Sequence, residues 1–141
     1  MRLALTISAL TVLTACDRSR ADGPAEAYTS FSKAVQRGDW KAAYSALSQE
    51  TQQRLAARAK ESAAASGGAI KDDPASFAFS SAPRPEPVTE VKVVRQDGDR
   101  AVLVATAGGH TQKVSMVREN NAWKIELTEK LNGSEGAAAK P

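Results

Sequence analysis

The chain has 141 residues, of which 42% are hydrophobic and 25% are charged, values that are ordinary for one globular domain. Its formal net charge of +3 is too small and too evenly spread to predict binding to nucleic acid. The chain contains a single cysteine, which excludes an internal disulfide and leaves the chemistry of that thiol to be explained.

The first residues of the chain have the pattern of a cleaved targeting segment. Arg2 is followed by an uncharged apolar run from residue 3 to residue 13, and the small residues Thr14 and Ala15 come next. As a helix this run would span about 17 Å, far short of the roughly 30 Å hydrocarbon core of a bilayer. The pattern therefore predicts a signal peptide over residues 1–15 and not a membrane-spanning helix.

Residues 13–16, Leu-Thr-Ala-Cys, resemble the recognition sequence of bacterial lipoprotein signal peptidase. This resemblance implies cleavage after Ala15 and a diacylglycerol on the Cys16 sulfur, which would anchor the mature chain to a membrane. The alternative is an ordinary secreted protein that begins near an unpaired cysteine. We favour the lipoprotein because it accounts for the only thiol in the chain.

The mature chain is expected to begin with a short polar tether over residues 16–23. Asp17, directly after the cysteine, resembles the signal that retains some lipoproteins at the inner membrane. We therefore expect a lipid-anchored location in a bacterial envelope, facing the periplasm, with the inner membrane slightly favoured and the outer membrane left open.

Three helices are predicted in the first half of the domain. Pro24 suits the first turn of a helix of about fourteen residues, which Gly38 would end. Asp39 can cap a second helix, and Ser48 can cap a third over residues 49–65.

Residues 69–87 are expected to form a loop with a short element inside it. Asp72 and Asp73 precede Pro74 and are interpreted as turn and cap residues, not as metal ligands. Phe77 and Phe79 are expected to enter the core. A run of five residues, 76–80, is too short for its periodicity to distinguish a strand from a helix.

After Pro87 the hydrophobic period changes to two, which predicts strands over residues 88–96, 100–107, 110–118 and 122–128. Two-residue turns join them, so the expected fold class is α+β, with N-terminal helices packed on a curved four-stranded antiparallel meander. Residues 129–141 lack periodicity and are expected to be a flexible tail. The face predicted to be buried consists of Val91, Val93, Ala101, Leu103, Ala105, Val114, Met116, Trp123, Ile125 and Leu127.

Two short sequences suggest a family. The helix junction Arg37-Gly38-Asp39-Trp40 and the last strand around Trp123-Lys124-Ile125 are similar to those of the nuclear transport factor 2-like superfamily, over residues 24–128. This resemblance implies a cone-like sheet wrapped around a long helix. Some members of the superfamily are isomerases, cyclases or dehydratases, and others are non-catalytic modules that are frequently dimeric, so the fold alone does not decide the function.

The sequence offers little for catalysis. The face predicted to be buried carries no carboxylate, and the only histidine, His110, lies beside a glycine turn where side chains meet solvent. Neither a metal nor a cofactor is predicted, because one histidine and two loop aspartates do not supply three or four converging ligands. An isomerase-like enzyme would need Asp72 or Asp73 at the mouth of the cone, so we do not expect an enzyme.

The function expected from these observations is a membrane-anchored, non-catalytic interaction module that binds a protein partner or a second copy of itself. The alternative is a carrier of a small hydrophobic ligand or lipid, since aromatic side chains can line a pocket as well as fill a core. The candidate pocket consists of Tyr28, Phe31, Trp40, Tyr44, Met116 and Trp123.

Overall fold

In the computed structural model, which describes residues 23–81 and 83–127, four helices precede a four-stranded antiparallel sheet. The α+β class and the order of the elements are therefore confirmed. The signal peptide, nearly all of the tether and the predicted tail lie outside the described residues. The elements are α1 Pro24–Arg37, α2 Trp40–Ser45, α3 Gln49–Ala65, α4 Pro74–Phe79, β1 Val88–Asp97, β2 Arg100–Ala107, β3 His110–Glu119 and β4 Ala122–Glu126.

Helix α1 begins and ends where the sequence predicts. Pro24 occupies its first turn, where a missing N–H group has no cost. Gly38 ends the helix in the left-handed region, at φ +73°, and its N–H group donates to the carbonyl of Val35 at 3.0 Å. The next N–H, that of Asp39, donates to the carbonyl of Ala34 at 2.9 Å, which completes a Schellman ending. Helix α1 contacts β1, β2 and β4, so it lies across the sheet.

Helices α2 and α3 are capped by the two predicted side chains. The Asp39 carboxylate accepts a hydrogen bond from the N–H of Ala42 at 3.1 Å, and the Ser48 hydroxyl accepts one from the N–H of Thr51 at 3.2 Å. Each bond satisfies an N–H group that the first turn of a helix would otherwise leave unpaired.

The short element between residues 69 and 87 is a helix, α4. The Asp73 carboxylate accepts hydrogen bonds from the hydroxyl of Ser76 at 2.6 Å and from the N–H of Ala75 at 3.1 Å. These bonds, with that of Ser76 dominant, lower the pKa of Asp73 below its ordinary value. The predicted cap is thus confirmed. Phe79 is buried as predicted, whereas Phe77 is only partly buried.

The sheet is a meander with strand order β1-β2-β3-β4. Its register pairs Leu103 with Val114, and β3 and β4 meet through a turn at Asn120 and Asn121. Both asparagines have positive φ, 50° and 66°, as a two-residue turn of type I′ requires. The strands differ from the predicted ones by one residue at the ends of β1 and β3. In the described chain β4 ends at Glu126, two residues earlier than predicted.

The core lies between α1 and one face of the sheet, and it contains most of the residues predicted for that face. The prediction that Val93 is buried is wrong. Val93 pairs with the fully buried Leu103, yet 43% of its own surface is exposed. The reason is that α1 packs over the first half of β1, around Val88 and Val91, and leaves the second half uncovered. Buried positions of the sheet are Ala101, Leu103, Ala105, Val114, Met116, Trp123 and Ile125.

The β4 edge of the sheet is covered by residues 46–48, which join α2 to α3 and are called here the covering segment. The N–H of Ser48 donates to the carbonyl of Ile125 at 2.8 Å, and the N–H of Ile125 donates to the carbonyl of Ala46 at 2.9 Å. Leu47 forms a parallel bridge with Ile125. The covering segment therefore extends the sheet by one short pairing beyond β4.

Candidate binding surfaces

A cleft of about 470 Å³ lies between α1 and the sheet, at the end of β4. The last pair of the β3–β4 ladder is Ser115 with Glu126, so residues 110–114 of β3 have no β4 partner in the described part of the chain. The cleft follows this unpaired part of β3 and is bordered by both faces of the sheet. Its lining residues are Tyr28, Phe31, Val102, Gln112, Lys113, Val114, Ser115, Ile125, Glu126 and Leu127.

The wall of the cleft contains a hydrogen bond between a buried tyrosine, Tyr28, and an exposed glutamine, Gln112. The side-chain amide of Gln112 donates to the hydroxyl oxygen of Tyr28 at 2.8 Å, and only 5% of the Tyr28 surface is exposed. Burial raises the pKa of Tyr28, and the bond from Gln112 opposes this rise in part. Within residues 23–81 and 83–127, no acceptor takes the proton of the Tyr28 hydroxyl. The hydroxyl can therefore donate to an acceptor in the cleft, whether that acceptor is water or a ligand.

A carboxylate also borders the cleft. Glu126 accepts a hydrogen bond from Arg100 at 3.1 Å, and its side chain is 15% exposed against 72% for that of Arg100. By strand register Glu126 belongs to the face opposite to that of Ile125. Alternation along β4 therefore gave no indication that Glu126 lines a cleft, since the cleft depends on where β4 ends.

Of the six residues in the predicted pocket, Tyr28 and Phe31 line the cleft. Met116 is only 1% exposed and belongs to the core. Trp123, also buried, is on the floor of a second, more open groove between α1, α2 and β4.

The remaining two predicted pocket residues support helix packing. Trp40 stacks on Phe79, with ring centroids 5.9 Å apart and 16° between the planes, and so joins α2 to α4. The Tyr44 hydroxyl donates to the carbonyl of Gln52 at 2.7 Å, and burial raises the pKa of Tyr44. The six residues thus do not converge on one pocket. Sequence reasoning also missed Gln112, which the register places opposite Ala105 on the helix-covered face.

The second surface is the part of β1 that α1 leaves uncovered, residues 92–97, called here the open edge. All six residues are exposed, and Val93 and Val94 are 43% and 55% exposed. In the described chain no strand pairs with β1 on the side away from β2. A β-bulge between Val93 and Arg95 interrupts the ladder with β2. An edge with free backbone groups and apolar side chains is a surface that can accept another strand.

The residues weighed for catalysis do not come together. His110 is exposed at the first position of β3, Asp72 is exposed in a bend, and Asp73 is the cap of α4. Over the described ranges, no three side chains among His, Cys, Asp and Glu are placed to hold a metal ion. Over the same ranges, no helix has the length and apolar character needed to span a bilayer. Ala15, Cys16 and Asp17 lie outside the described residues.

Comparison of the chain with protein-family models, with curated proteins and with solved structures finds no match. The resemblance to the nuclear transport factor 2-like superfamily thus stays a prediction from the sequence.

Proposed function

We propose that this protein is a lipid-anchored, non-catalytic interaction module of the bacterial envelope. In this proposal, Cys16 carries the diacylglycerol, residues 16–23 form the tether, and residues 24–128 form a cone-like domain of the nuclear transport factor 2-like type. The order of helices before a meander, with α1 across the sheet, supports the domain assignment. The signal-peptide pattern supports the anchor.

The observation that carries the interaction function is the open edge. Val93 and Val94 are two of the three large hydrophobic residues that are exposed in the described chain, and they are adjacent on a strand with one free side. A bound strand would pair with the free backbone groups of β1 and cover both valines. The charges of Lys92 and Arg95 on the same strand protect the edge from unspecific pairing.

Site-specific crosslinking in native envelopes tests this function. A photoreactive amino acid at Val94 should give a discrete protein adduct. The matched control is Ile70, the third exposed large hydrophobic residue, which is 45% exposed and lies between α3 and α4. Adducts at Ile70 of equal yield, or no adduct at Val94, would contradict an interaction through the open edge.

The anchor has a test of its own. The Cys16→Ser variant should leave the membrane fraction, because it loses the acylated thiol, and its mature mass should lack the lipid. Retention of Cys16→Ser in washed membranes at the level of the unmodified chain would show that the lipid does not hold the protein there.

A carrier of a small hydrophobic ligand is the second candidate, and the Tyr28 hydroxyl in the cleft favours it. The cleft volume of about 470 Å³ is within the range of known ligand pockets. Apolar contacts would come from Phe31, Val114 and Leu127, and Tyr28 would donate to a polar end of the ligand. This arrangement suits an apolar molecule with one acceptor group.

Native mass spectrometry of protein purified from its own envelope tests the carrier function. A retained ligand should be lost or weakened in Tyr28→Phe, which removes the donor and keeps the ring. Tyr44→Phe is the matched control, because the Tyr44 hydroxyl bonds to Gln52 outside the cleft. Unchanged retention in Tyr28→Phe would exclude the proposed hydrogen bond, and protein without any bound mass would argue against the carrier.

A further inference from the structure

We infer that the partner of the open edge is a second copy of this chain, paired antiparallel about a two-fold axis between Val94 and Arg95. This inference rests on the proposed interaction through β1 and adds the identity and register of the partner. The two four-stranded sheets would join into one sheet of eight strands, with the two copies of β1 at its centre.

The charge pattern of residues 92–97 supports self-pairing. The segment reads Lys-Val-Val-Arg-Gln-Asp, with a cation at its first position and an anion at its last. In an antiparallel pair centred between Val94 and Arg95, Lys92 of each copy is opposite Asp97 of the other. The symmetry therefore produces two opposite-charge pairs, and each such cross-strand pair is favourable.

The same register also covers the exposed valines. Val94 would be opposite Arg95 of the other copy, whose aliphatic stem can cover it while the guanidinium stays in water. Val93 would be opposite Gln96. A slide of two residues between the strands, which centres the pair between Val93 and Val94, would place Lys92 opposite Arg95, and like charges directly opposite are unfavourable.

The ion pair between Lys92 and Glu90 on this strand does not oppose the dimer. Lys92 contacts Glu90 at 2.9 Å, but both side chains are more than half exposed, and exposed pairs of this kind contribute little. Arg95 has no acidic partner in the described part of the chain. Both groups are thus available to a facing strand.

The place where the tether joins the domain is compatible with two anchored copies. The first turns of α1, near Ala25 and Glu26, lie beside Val88 and Val91 of β1. A two-fold axis perpendicular to the sheet puts the helices of both copies on one side, so Gly23, where the described chain begins, would lie on that side in both copies. Anchoring both copies in one membrane would raise their effective concentration.

Sedimentation equilibrium of the mature chain carrying Cys16→Ser, with a charge swap across the interface, tests the inference. The unswapped chain should dimerise, and Lys92→Asp or Asp97→Lys alone should weaken the dimer about tenfold, because each creates two like-charge pairs. The double variant Lys92→Asp with Asp97→Lys should restore the dimer. Lys41→Asp, an equal charge change at an exposed site on α2, should leave it unchanged.

Three results would overturn the inference: a monomer at concentrations up to about 1 mM, single variants that dimerise like the unswapped chain, or a double variant that fails to recover. Thermal unfolding of each variant checks that the fold is retained, and Lys92→Gln provides a milder variant if Lys92→Asp is unstable. A Val94 adduct with a different protein would contradict the inferred dimer and leave the proposed interaction function intact. If no adduct forms at Val94 and no dimer is found by sedimentation, both the interaction through the open edge and the dimer are contradicted.

Discussion

The two edges of the sheet are built in opposite ways. At the β4 edge, the covering segment pairs with Ile125, and side chains on either side add further bonds between helix and sheet. At the β1 edge, residues 92–97 are exposed, and no strand of the described chain covers them. One edge of the sheet is therefore paired within the fold, and the other is the edge that we propose for contact with another molecule.

The polar contacts at the β4 edge are both buried and interdependent. The Thr51 hydroxyl oxygen accepts hydrogen bonds from the N–H of Leu127 at 3.0 Å and from the hydroxyl of Ser48 at 2.8 Å, and neither Ser48 nor Thr51 is more than 1% exposed. At the periphery, the Lys124 ammonium donates to the carbonyl of Ser45 at 2.7 Å. The stability of the fold should therefore depend on contacts at the β4 edge, and binding of a partner on the open edge of β1.

The largest difference between the edges should appear on truncating an apolar side chain. Leu47→Ala should lower the free energy of unfolding by about 2–5 kcal/mol, because Leu47 is fully buried and the variant leaves a cavity. Val94→Ala, at the open edge, should change it by less than about 0.5 kcal/mol. Urea denaturation of both variants measures the contrast, and equal losses would refute the division of roles between the edges.

The second largest effect should come from the buried hydroxyl. Thr51→Val keeps the shape of the side chain but leaves the N–H of Leu127 and the hydroxyl of Ser48 without their acceptor, at a cost of about 1–3 kcal/mol. Thr29→Val is the control, since the Thr29 hydroxyl donates only to the carbonyl of Ala25 within α1. The same denaturation measurement should rank Thr51→Val well below Thr29→Val in stability.

A smaller effect is expected where the β3–β4 turn meets α3. The Glu119 carboxylate accepts a hydrogen bond from the N–H of Gln49 at 3.0 Å, next to the positive end of the α3 dipole. Glu119→Gln should therefore destabilise the fold by about 0.5 kcal/mol, and the loss should shrink at high salt. Glu61→Gln, near the C-terminal end of α3, should not destabilise the fold. A loss that is independent of salt would point to packing as the cause.

A substitution at the open edge should weaken binding and leave stability almost unchanged. Val94→Thr keeps the branched shape and adds a hydroxyl at a site that is 55% exposed, so the free energy of unfolding should stay within about 0.5 kcal/mol of the unmodified chain. Dimerisation, measured by sedimentation, should weaken because less apolar surface is buried. If Val94→Thr dimerises as strongly as the unmodified chain, Val94 does not lie in the interface.

The elements that depend on local signals could be predicted from the sequence. Gly38, Asp39 and Ser48 end or cap helices through bonds to residues within one turn, and the predicted helices match the observed ones. The meander could likewise be read from alternation and two-residue turns. Helix α4 could not be decided, because the five residues 76–80 are too few for their period to distinguish a helix from a strand. Backbone bonds from Phe77 to Asp73 and from Ser80 to Ser76, together with the Asp73 cap, define it in the structure.

Features that depend on contacts distant in sequence were not predictable. Val93 fits the alternation of apolar and polar residues along β1 but is exposed, because the position of α1 decides which half of β1 is covered. The bond between Gln112 and Tyr28 joins residues 84 positions apart, and no local pattern indicates it. The predicted pocket failed to converge for the same reason: Trp40 and Tyr44 belong to contacts among helices that periodicity does not reveal.

The covering segment also constrains the order in which this domain can fold. Thr51 and Leu127 are 76 positions apart, and Lys124 reaches back 79 positions to Ser45, so the sheet edge closes only after almost the whole domain has left the ribosome. Contacts of such long range slow folding. A chain that stops short of β4 lacks Trp123 and Ile125 as well as the pairing for the covering segment, and should stay unfolded even though all four helices have been made.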